Sequence, residues 1–140
     1  MFVDLEQSLI DTLRGVIPGA QMYGTFEAVD VASEDVPHVA VRVSWLGFPP
    51  QAQRPNALAG SHQFAIEVMV DGLRVMPAEQ KRIADGITTI YQRLAAWRPH
   101  PDMSGEFAEI EAARVSESGA VFQYQINLTV PGYVIRPVNE

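Results

Sequence analysis

Three stretches of this chain alternate apolar and polar residues with a period of two, and they restrict what it can become. The clearest runs from His62 to Val70, with Phe64, Ile66, Val68 and Val70 on one face. Gln63, Ala65, Glu67 and Met69 take the other. From His38 to Leu46 the same rule puts Val39, Val41, Val43 and Trp45 opposite His38, Ala40, Arg42 and Ser44. From Val121 to Val130 it puts Phe122, Tyr124, Ile126, Leu128 and Val130 opposite Gln123, Gln125, Asn127 and Thr129. Successive side chains of a strand point to opposite faces, so each stretch predicts a strand with one face on a core.

A sheet with one apolar face needs a cover, and two segments have helical spacing. Leu5, Leu9 and Leu13 draw a stripe over residues 2 to about 15, with Phe2, Ile10 and Val16 beside it. Asp4 and Glu6 suit its first turn and Arg14 its last, and Gly15 with Pro18-Gly19 ends it. The second helix begins at Pro77 and runs to about Ala96 on the stripe Ile83, Ile87, Ile90, Tyr91 and Leu94. Trp97-Arg98-Pro99 closes it. Gly86 and Thr88-Thr89 weaken it, so tertiary packing must hold it.

The remaining segments are less regular. Gln21 to Val31 fits a short edge strand, with Ser33-Glu34-Asp35 as an acidic turn after it. Glu106 to Ser116 reads as a strand with one bulge, paired as a hairpin with Val121–Val130. Gly47 to Gly60 contains three prolines and no period, so it is expected to be a long β-loop. Pro131 to Glu140, with two prolines, is expected as an extended tail. The fold class that follows is α+β: one domain over 1–140, with a mostly antiparallel sheet of four to five strands. Both helices pack on one face of that sheet.

Chemistry is sparse. The chain has no cysteine, and His38, His62 and His100 lack the spacing of a metal site. No phosphate loop and no nucleophile elbow occurs. Glu106, Glu109, Glu111 and Glu117 gather in the hairpin, where a solvated acidic face explains them more simply than acid–base catalysis. No enzyme activity, cofactor or metal is therefore expected. Ten basic against seventeen acidic residues give a net charge of −7, a poor basis for wrapping nucleic acid. Nine of the ten basic residues are arginine. No apolar run reaches the length of a membrane span, and the opening residues lack a secretion signal, so a cytoplasmic site of synthesis is expected.

What remains is material for protein contacts. Phe48, Pro49, Pro50, Arg54 and Leu58 lie in the proline-rich loop, and Arg98 lies in the second loop. Aromatic residues beside arginine are typical interface anchors. Trp45 and Trp97 fit a core better. Gln63 and Glu67 stand on the polar face of the main strand.

The chain resembles small phage tail proteins of the tail terminator and Mu-like gp37 group. The resemblance rests on Phe2-Val3-Asp4-Leu5-Glu6, Tyr23-Gly24-Thr25-Phe26, Pro37-His38-Val39-Ala40-Val41-Arg42-Val43 and His62-Gln63-Phe64-Ala65-Ile66-Glu67-Val68. It continues through Leu94-Ala95-Ala96-Trp97-Arg98-Pro99 and the final hairpin. It implies a structural virion subunit, located in the tail at its head-proximal end. Six copies would form a ring that caps the tail tube and meets the head–neck connector, with DNA passing the lumen unbound. Tyr133 and Arg136 in the tail would then join the loop as contacts with the tube or a neighbouring subunit. The alternatives are another head–tail connector or neck protein or, in a different class, a small α+β ligand-binding domain or enzyme.

Overall fold

Alternation becomes burial in the computed structural model, where Phe64, Ile66 and Val68 are inaccessible to solvent. The structure describes residues 2–27, 39–54, 57–72, 76–99, 109–118 and 121–135; over 50–57, 109–118, 121 and 131–135 it describes the backbone alone. The elements in order are α1 (Phe2–Leu13), β1 (Gln21–Tyr23), β2 (Val39–Gly47), β3 (Pro50–Arg54), β4 (Ala57–Asp71), α2 (Pro77–Ala96), β5 (Glu109–Ser118) and β6 (Val121–Ile135). The class is α+β. The six strands form one open sheet in the order β1-β2-β4-β6-β5, with β3 paired to β4 outside that path. Among the described strands, only the β1–β2 pair is parallel.

The strand count exceeds the four to five expected, and the excess has one origin. Within 47–60, residues 50–54 and 57–60 are strand and not loop. β2 bends at Gly47 (φ +131°) and resumes as β3, which pairs antiparallel with the start of β4 through Pro50↔Gly60, Gln53↔Leu58 and Arg54↔Ala57. Proline excludes a central strand but is tolerated on an edge, and among the described strands β3 pairs with β4 alone. Nor does the chain leave the sheet at Pro131. β6 continues to Ile135 and pairs Tyr133 with Gly60 and Ile135 with Leu58. The register slips between Gly60 and His62, where β6 carries the additional residue at Pro131-Gly132. β3, residues 57–60 of β4 and residues 133–135 of β6 thus form a three-stranded arm that prolongs the sheet. Residues 136–140, with Arg136, lie outside the described residues.

Other expectations hold more closely. The bulge anticipated in the hairpin falls between Ile110 and Ala112. Residues 106–108 of that expected strand lie outside the described residues, as do His38, His100 and the acidic turn 33–35. α2 begins and ends where its punctuation suggested. α1 stops at Leu13, so Arg14 falls beyond it and pairs with exposed Asp11 instead. The C-terminal carbonyls of a helix need external donors. Arg93 of α2 supplies them, donating from Nη1 to the carbonyls of Thr12 and Arg14 at 3.0 and 3.1 Å.

Both helices cover the same face. Leu5, Leu9 and Leu13 join Ile83, Ile90, Leu94 and Trp97 in one cluster with the apolar faces of β2, β4 and β6. Trp97 is core, and its indole N–H donates to Ser8 Oγ at 3.0 Å. α2 is tied to β6 by the hydroxyls of Tyr91 and Tyr124, 2.7 Å apart.

Burial first, and then the Tyr124 hydroxyl, push the Tyr91 phenol up to about 12. Folding therefore favours its protonated form. That stability is complete below the ordinary value of 10.0 and is lost as pH rises from there through about 12. The melting temperature should fall across this interval, and less steeply in Tyr91→Phe. Equal slopes in the two proteins would contradict the assignment.

Candidate assembly surface at the root of the arm

The arm leaves the sheet from a row of rings. Trp45, the last core-facing residue of β2, stacks on Phe2 of α1 with centroids 4.1 Å apart and planes at 7°. Phe26 meets Phe2 edge-on at 6.3 Å. Trp45 donates from its indole nitrogen to Nδ1 of buried His62 at 3.1 Å, and Phe48 packs on the His62 ring at 4.9 Å. Offset or edge-to-face ring pairs add to the apolar area they bury, so this row stiffens the junction of body and arm.

Phe48 also explains Gly60. A Cβ at Gly60 would lie 2.8 Å from the Pro49 carbonyl oxygen and 3.1 Å from the Phe48 ring. Only glycine lets β3 approach β4 here. The arm is thus set by Phe48, Pro49 and Gly60 together.

Beside this root, a turn at 24–27 is fastened from two sides. Glu6 of α1 accepts from the Thr25 amide at 2.9 Å and from the Thr25 hydroxyl. That hydroxyl oxygen in turn accepts the backbone N–H of Trp45 at 2.8 Å. Beyond the end of β1, Thr25 therefore takes the place of a strand neighbour for β2. Within the turn, the Gly24 amide donates to Glu27 Oε1 at 2.9 Å and the Glu27 amide to the Gly24 carbonyl at 3.2 Å. Phe26 is left 85% exposed on this fixed turn.

The sequence-predicted contact residues divide between arm and body. Pro50, Arg54, Leu58 and Tyr133 all belong to the arm, and Leu58 is exposed. Phe48 and Pro49 form its root, with Phe48 half-buried and Pro49 exposed. Gln63 and Glu67 lie on the body of β4. Glu67 is buried and receives Arg42 Nε at 2.5 Å, so it joins β2 to β4 across the helix-free face. Ser44 donates to the same carboxylate at 3.4 Å. Arg98 is exposed just past α2. Phe2, Phe26 and His62 had not been anticipated as members of one cluster. The alternation that places His62 and Trp45 on one face was visible, but the contact of Phe26 with Phe2 depends on the turn.

At the other end of β4, on the same face, Val70, Gly72, Gln80, Ile83, Ala84, Ile87 and Phe122 line a largely apolar cavity of ≈ 340 Å³. Among the described residues, no group of three or more His, Asp or Glu could hold a metal ion, and no helix is long and apolar enough to cross a membrane.

No family model and no curated protein matches the chain. Among solved structures, its fold is similar to a chain described as "Virion of native gene transfer agent (GTA) particle", with a TM-score of 0.54 and 15% sequence identity. The likeness spans 91% of this chain and 92% of that one, so the two share a fold over nearly their whole length.

Proposed function

We propose that the chain is a structural protein of a phage-like virion, a tail terminator that forms a ring at the head-proximal end of the tail. It catalyses no reaction and uses no cofactor. The observation that carries this reading is a likeness of fold, spanning nearly the whole of both chains, to a chain of a gene transfer agent virion. The arm supports it, because an extension with an edge strand on one side offers backbone donors and acceptors to another protein.

In this reading six copies close a ring that caps the tail tube on one face and meets the head–neck connector on the other. The arms, with Pro50, Arg54, Leu58 and Tyr133, reach the tube or the next subunit. A subunit of charge −7 gives an acidic ring, which lets DNA pass the lumen without being held. Deleting the gene should leave particles with overlong tails. Tails of normal length with detached heads would replace the terminator with a neck or completion protein. Unaltered particles would overturn the virion reading.

A further inference from the structure

The row of rings at the root of the arm contains one group that changes its charge near neutral pH. His62 is 3% exposed and receives the Trp45 indole N–H at 3.1 Å. An indole nitrogen can only donate, so Nδ1 of His62 must carry a lone pair, and the ring is neutral with its proton on Nε2. Phe48 packs on that ring at 4.9 Å, and the chain runs from Phe48 through Pro49 into β3.

We propose that His62 is a proton-sensitive pin: neutral, it holds Trp45 and Phe48 together at the root of the arm, and protonated in mild acid it lets β3 come away from β4. An imidazolium has no lone pair, so Nδ1–H would face the indole N–H, donor against donor. Aromatic faces attract a cation. Trp45, however, presents its N–H edge to His62, the positive side of the ring, and Phe48 is tilted by 52°. Burial opposes the charge as well. Of the charged groups on the surrounding elements, Glu6 of α1 is engaged by Thr25 and Asp4 is exposed. Arg42 of β2 and Glu67 of β4 pair with each other on the opposite face. β3 adds Arg54, of like charge, and β6 has no charged residue, its Tyr124 being bonded to Tyr91. Closed, the root holds the neutral ring; opened to water, an imidazole takes up a proton near pH 6.5. The open form thus binds more protons, so the closed root is fully stable above that pH and loses stability as pH falls below it. The pin acts within one chain, whether or not copies form a ring.

The test is nuclear magnetic resonance of the full chain at about pH 8 and about pH 5.5, an interval above the ordinary range of carboxyl groups. In the wild type, protection of the Trp45 indole proton and of the amides by which β3 pairs with β4 should fall about tenfold, as one pH unit below the ordinary imidazole value dictates. Protection over 64–70 should stay. The fall should share its midpoint with the titration of His62 Nδ1, read from its nitrogen shift. In His62→Asn the side-chain oxygen stands close to the place of Nδ1 and accepts without titrating, so protection should be equal at the two pH values. Unchanged protection of the wild type in acid would overturn the pin. An equal fall in His62→Asn would overturn it too, since acid would then act through another group. So would a midpoint apart from that of Nδ1, a result that needs no variant.

Discussion

Replacing Gly86 with alanine should destabilise the fold by about 1–3 kcal/mol, the usual cost of forcing atoms into a packed site. Helix propensity alone predicts the opposite sign, since glycine inside a helix costs about 1 kcal/mol relative to alanine. Packing decides. A Cβ at Gly86 would lie 2.3 Å from Ile17 Cγ1 and 3.0 Å from the Val16 carbonyl oxygen. Neither is the free end of a flexible side chain. The turn holding Val16 and Ile17 is fixed from behind, because Arg93 of the same helix grips the end of α1. Denaturant unfolding should show a lower midpoint with an unchanged slope. A higher midpoint would mean that the helices are not in this contact.

The second large effect is expected at Gly60. In Gly60→Val the new side chain would collide with the Pro49 carbonyl and the Phe48 ring, so β3 should separate from β4. The cost is again about 1–3 kcal/mol, but it falls on the arm rather than the core. Amide exchange should reveal the difference. Protection should be lost over residues 51–54 of β3, weaken over 57–60, which β6 still pairs, and be kept over 64–70 between β2 and β6. Uniform loss of protection would show that arm and body unfold as one unit. Full retention would show that the close approach is not needed.

These two glycines also mark where the sequence could and could not be read. The central strands were legible because burial of one face imposes a period of two, as at Phe64, Ile66 and Val68. α2 was legible from Pro77 and from the stripe that ends at Leu94. Gly86 could be recognised as a weak point of that helix, but its reason lies in Ile17, distant in the chain. The arm was misread for a related cause. The prolines of 47–60 argue against a strand only while neighbours are assumed on both sides, and the edge position that accommodates Pro50 is a property of the whole sheet. Likewise Pro131 looked like an end, whereas a bulge opposite Gly60-His62 absorbs it. The candidate surface was half legible: Phe48, Pro50, Arg54 and Leu58 were picked out by composition, and the structure places them at the root of the arm and along it. Phe26 lay in a segment without a clear period, and only the contacts of Thr25 with Glu6 and Trp45 give it a place.

The most direct test of the account is electron microscopy of tail tubes incubated with the purified protein, together with its mass in solution. The account predicts a closed ring of six copies seated at one end of the tube. A protein that stays monomeric at high concentration and leaves tube ends bare would contradict it.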